Sequence, residues 1–155
     1  MSFATAQQSR SSWKEYVNQE EGFAVTVPES PTHHPDASTP EFMVYAIPMP
    51  NKIVLNLRVS NRKHDCGEFL DQLKHNLLAP NSGIDPATVK TLSIDGNPGL
   101  EYQWISPLHT NSDRYYCVEG KFYVFSASWA KHESQPASIE QVEKSFRLLN
   151  AKSNQ

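Results

Sequence analysis

Short runs of alternating apolar and polar residues, each closed by turn-forming residues, recur along this chain, and they constrain it to a mostly antiparallel sheet. The clearest run covers residues 53–60: Ile53, Leu55, Leu57 and Val59 alternate with Val54, Asn56, Arg58 and Ser60. That period of two puts one face in a core and leaves the other mixed. A second run places Phe23, Val25 and Val27 on one face and Ala24 and Thr26 on the other, and Pro28 ends it because proline cannot donate to a ladder. Further strands are expected at about 42–47, 88–94, 99–106, 113–119 and 121–130. Pro48-Met49-Pro50-Asn51 and the segment from Asp95 to Gly99 make tight connections, and Gly120 marks a hairpin tip between two aromatic strands.

Two helices complete the pattern. Asp65 is a plausible N-cap with Glu68 three residues on, as in a capping box. The helix it opens runs to about Leu78, with Phe69, Leu70, Leu73 and Leu77 on one face and Pro80-Asn81-Ser82-Gly83 ending it. The last helix begins near Ser134 or Pro136 and buries Ile139, Val142 and Phe146. Residues 13–17 suit one helical turn, or an aromatic anchor for the N-terminal segment. The expected fold class is α+β: an antiparallel sheet of about six or seven strands covered by helices, an α/β/α sandwich.

At 155 residues the chain suits one domain, spanning 13–150, with a disordered tail at 1–12 and a short tail at 151–155. The formal charge of -3 and scattered basic residues, with only Arg62-Lys63-His64 clustered, argue against nucleic-acid binding. No stretch approaches the ~20 apolar residues of a transmembrane helix. Ala4-Thr5-Ala6 has the small-x-small form of a signal-peptidase site, but A-x-A is common by chance and an ordinary disordered tail is the simpler reading. The compartment, exported or cytoplasmic, therefore stays open. Cys66 and Cys117 fit no C-x-x-C motif, and two free, partly buried thiols are expected, with one disulfide as the alternative.

Four motifs in order carry a family resemblance. Tyr16 and Glu21 precede Gly22-Phe23 and a strand ending in Pro28; Asp95, Gly96, Pro98, Gly99 and Glu101 link two strands. Arg114 and Tyr115 lead through Gly120 to Tyr123, and Ser145-Phe146-Arg147-Leu148 close the set. Together, over about residues 13–149, they resemble the PsbP-like superfamily of photosystem II extrinsic proteins and their bacterial relatives. The resemblance implies that fold and a non-enzymatic accessory role, with another protein as the partner and no cofactor.

Candidate chemistry is sparse. His33, His34 and Asp36, in the proline-rich stretch 28–41, combine imidazoles with a carboxylate and suit a divalent metal, although adjacent histidines in extended chain point to opposite sides. His64-Asp65-Cys66 places a base beside a thiol, but catalytic triads are assembled in space rather than along the chain. There is no G-x-S-x-G, H-E-x-x-H or glycine-rich phosphate loop. Tyr123, Phe125, Ala127 and Trp129 share one strand face, and Leu100, Tyr102 and Trp104 another. Core packing explains both faces; a small-ligand groove or a partner surface is the alternative.

Overall fold

A computed structural model describes residues 12–33, 39–61 and 63–149. Among these, seven strands form one antiparallel sheet: β3 (Thr32–His33), β4 (Phe42–Ala46), β5 (Val54–Ser60), β9 (Lys121–Ala130), β8 (His109–Val118), β7 (Asn97–Ile105) and β6 (Lys90–Ile94), in that spatial order. A smaller sheet has β2 (Phe23–Val27) between β1 (Lys14–Asn18) and β10 (Arg147–Leu148). Two helices, α1 (Cys66–Leu78) and α2 (Ala137–Ser145), complete the described chain with a 3-10 turn at Pro86–Thr88.

The alternation at 53–60 does what its period demands. Leu55, Leu57 and Val59 are buried on one face of β5, where they meet Tyr123, Phe125 and Trp129 of β9. The small sheet and α2 cover this face, contributing Phe23, Val25, Ile139 and Val142. The opposite face carries a second cluster, in which Leu70 and Leu77 of α1 pack on Leu100, Phe122 and Val124. The aromatic faces of β7 and β9 are thus largely core.

Four expectations need correction. The last helix ends at Ser145, so Phe146 lies beyond it as an extended cap. Residues 14–18 form β1, an edge strand paired along β2 from Lys14↔Val27 to Asn18↔Phe23, rather than a helical turn. The Asp95–Gly99 connection is shorter than expected: Asp95 (φ 50°) and Gly96 (φ 81°) alone make the turn, and Asn97, Pro98 and Gly99 already belong to β7. Positive φ at both central positions is the type I′ geometry that matches strand twist. Finally, Cys66 and Cys117 are joined in a disulfide, with Cα atoms 5.6 Å apart. The first residue of α1 lands directly over β8, which a spacing of 51 residues does not reveal.

Asp65 caps α1 as expected, its Oδ1 accepting from the Glu68 backbone N–H at 2.9 Å. Just before it, the His64 N–H donates to Gly120 O at 2.7 Å. Gly120 has φ 86°, and a Cβ there would lie 2.8 Å from the His64 carbonyl oxygen, so turn geometry and close approach both require glycine. Gly99 is required for a different reason. A Cβ would sit 2.5 Å from Tyr115 O and 2.8 Å from the Tyr116 ring, which stacks in turn on Phe146 at 5.8 Å and 4°.

Two stability outcomes follow from this geometry. Gly99→Ala forces the Tyr116 ring off Phe146 and is expected to cost about 1–3 kcal/mol of unfolding free energy in urea, the usual range for overpacking; an unchanged midpoint refutes this account. The native protein should show no free thiol after unfolding without reductant. Reduction, or Cys117→Ala, should cost about 4 kcal/mol, the chain-entropy value for a loop of this size.

Candidate functional site

Among the described residues, helix α1 covers its face of the large sheet only in part, and the cross-strand rows beyond it pass from buried to partly exposed. One row runs Tyr102, Asp113, Ser126, Asn56 across β7, β8, β9 and β5, and the next runs Trp104, Asn111, Ser128, Val54. Four of these side chains, Ser126, Asn56, Asn111 and Ser128, are short and neutral. They floor a groove of about 350 Å³, with Trp104 on the β7 side and Arg58 on the β5 side. Arg58 Nη2 donates to Ser126 Oγ at 3.1 Å, and its guanidinium carbon lies 5.4 Å from the centre of the Phe42 ring. Asp113, 8% exposed, accepts from the Tyr102 hydroxyl at 2.8 Å through Oδ2. Burial raises the pKa of both Tyr102 and Tyr115, and the Asp113 carboxylate adds to each shift. Both phenols therefore stay protonated, so Tyr102 can donate to Asp113.

The same end of the large sheet carries exposed aliphatic side chains. Val54 opens β5 at 53% exposure, Ile105 ends β7 at 64%, and Leu108 sits in the β7–β8 turn at 75%.

On the covered face, Arg114 bridges two acids. Its Nη2 lies 3.2 Å from Glu101 on the neighbouring strand and 3.7 Å from Glu143 of α2. Glu143 is 3% exposed, and its Oε2 has no hydrogen-bond partner among the described residues. Burial pushes its carboxyl up to about 7, against the pull of Arg114 and with further push from Glu101 and Glu140. Glu101 and Arg114 are the acid and base of the middle motifs, so those motifs mark a partly buried ion pair.

The remaining motif residues are also structural. Glu21 takes the Lys121 ammonium at 2.6 Å and the Tyr45 hydroxyl at 3.3 Å, and its backbone carbonyl accepts from the Tyr123 hydroxyl. Ser145 Oγ accepts from Thr26 N–H at 2.7 Å, and Arg147 pairs with Glu15 at 3.0 Å.

Of the expected metal set, His33 is exposed on β3 with its ring 5.8 Å from that of Tyr45, while His34 and Asp36 lie outside the described residues. No group of three metal-binding side chains occurs among the described residues. His64 does not serve Cys66: its ring packs 5.0 Å from Phe122 and 5.7 Å from Phe69, and Cys66 is held in the disulfide. The Leu100, Tyr102 and Trp104 face and the polar alternates Asn56 and Arg58 were its sequence signals, but its members come from four strands and form no linear motif, so their meeting in one groove was not legible.

No family model matches the chain, and no curated protein matches it significantly by sequence. Solved structures do match. The fold is similar to that of cyanobacterial PsbP (CyanoP) from Synechocystis sp. PCC 6803, with a TM-score of 0.58 at 12% identity over 88% of this chain and 92% of that one. It is also similar to LpqN of Mycobacterium tuberculosis, described as involved in cell envelope biogenesis, with a TM-score of 0.51 at 15% identity over 93% and 96% of the two chains. The fold class is therefore a PsbP-like α+β domain.

The buried carboxyl makes stability depend on pH. Glu143 takes up a proton on folding wherever the unfolded carboxyl, near 4.5, is ionised and the folded one, at about 7, is not. Its favourable contribution is full below 4.5 and is lost as pH rises through about 7. Urea midpoints should therefore fall between about pH 5 and about pH 8. Glu143→Gln should flatten that slope; an unchanged slope refutes the assignment.

Proposed function

We propose that this protein is a non-enzymatic PsbP-like accessory domain that binds another protein through the exposed end of its large sheet. The observation that carries this reading is the set of exposed aliphatic side chains there, Val54, Ile105 and Leu108, beside the partly exposed Trp104. Aliphatic and aromatic contacts of this kind form the centre of many protein interfaces, with polar groups at the rim. The site chemistry supports binding over turnover. The Ser126 hydroxyl faces the Arg58 guanidinium, which has no acceptor atom to take its proton.

A second reading concerns the groove beside this end. Its convergent polar side chains and flanking indole favour a small ligand, and the two surfaces are separable by mutation. The Cys66–Cys117 disulfide supports a working place in an oxidising compartment, outside the cytoplasm.

Affinity capture from the native host tests the leading reading. The wild type should retain a protein that Leu108→Asp and Ile105→Asp each lose, with thermal midpoints within a few degrees of wild type. Equal recovery by both variants overturns the assignment of this surface.

A further inference from the structure

We propose that the groove on the open half of the large sheet is a binding site for a neutral saccharide of one or two rings. The proposal deepens the second reading above and rests on it. Three features of the groove select this ligand.

The first is the floor. Ser126, Ser128 and Asn56 each supply both donors and acceptors, Asn111 adds an amide oxygen while its Nδ2 donates to Trp104 O and Ser106 Oγ, and the four are adjacent across the strands. An apolar ligand would cover these groups without replacing the water bonded to them, at a cost for every unpaired polar atom. A polyol offers hydroxyls that donate and accept in turn.

The second is the balance of charge. Arg58 and Asp113 stand in one groove with opposite signs, and each is already tied to a neutral hydroxyl, of Ser126 and of Tyr102. An anion drawn to Arg58 meets Asp113, and a cation drawn to Asp113 meets Arg58. A neutral ligand uses both as hydrogen-bonding groups: the guanidinium donates to ring or hydroxyl oxygens, and the free carboxylate oxygen accepts from hydroxyls.

The third is the wall. Trp104 is partly exposed on the β7 side and leans on Tyr102, with ring centres 5.8 Å apart, which restricts the indole. A pyranose has an apolar C–H face that lies against such a ring. From Trp104 on β7 to the β5 side is three strand spacings, roughly 14 Å, which accommodates a disaccharide. The groove's 350 Å³ is at the small end for ligand sites and suits one or two rings. An extended peptide is disfavoured, because the face of a sheet, unlike its edge, presents no backbone N–H or C=O to pair with it.

The test is an NMR titration of the intact protein with maltose and cellobiose, alongside glucuronate, glucosamine and a short neutral peptide. The expected result is saturable shifts of the Trp104 indole N–H and of Asn56, Asn111 and Ser128 amides with the disaccharides, in the millimolar range. The charged sugars should bind at least tenfold more weakly. Trp104→Ala and, independently, the groove-filling Ser128→Tyr should each weaken binding at least tenfold. Having two variants keeps the test valid if one fails to fold. If glucuronate, glucosamine or the peptide saturates the groove more tightly than the disaccharides, the saccharide proposal falls while the groove reading stands. If no probe shifts these signals, or the shifts map elsewhere, both fall.

Discussion

The ring of Phe146 joins the two sheets. It lies 5.8 Å from Phe23 of β2, 5.8 Å from Tyr116 of β8, and 5.4 and 5.3 Å from Tyr123 and Phe125 of β9. Both sheets and the end of α2 therefore meet on one side chain, and its neighbours complete the joint. Ser145 bonds the β2 backbone, and Leu148 pairs with Phe23 in the small sheet. Gly99 lies under the Tyr116 ring, so even the backbone of β7 is shaped around this stack. Aromatic pairs add only about 0.5–1.5 kcal/mol each beyond area burial; the larger effect is that one residue desolvates surfaces from three strands in two sheets at once.

The opposite face is organised by anchoring. Helix α1 is held at its first residue by the disulfide and just before it by the His64–Gly120 backbone bond. Both ties lie at the β8–β9 turn, so the helix covers that end and leaves the other bare. The polarity of the sheet follows the cover: Phe122 and Val124 lie under the helix, and Ser126 and Ser128 follow on the same strand face. The groove thus arises from where the helix is pinned.

Much of this was legible in the sequence, and the failures have physical causes. The alternation at 53–60, the Asp65 cap and the Gly120 tip are local signals that tertiary packing reinforces. Strand β1 was not legible because Lys14, Glu15 and Asn18 give it little apolar period; its pairing to β2 makes it a strand. Pro98 and Gly99 look like turn residues, yet they lie in β7, where the close Tyr115 carbonyl and Tyr116 ring, not chain reversal, require the glycine. Phe146 belongs to no helix: α2 ends at Ser145, and Phe146 caps it in extended conformation. The disulfide and the groove each depend on which strands become neighbours, which is information no single segment carries.

The position of β2 bears on how the chain is made. One edge of β2 pairs with β1 beside it in sequence, but the other pairs with β10, and the Glu15–Arg147 contact spans 132 residues. On the ribosome, β1 and β2 emerge early, while α2 and β10, which seal the apolar face of β2, emerge last among the described elements. At ordinary translation rates the interval is on the order of ten seconds. Throughout it Phe23, Val25 and Val27 lack their native cover, so the first hairpin made is the last to be enclosed.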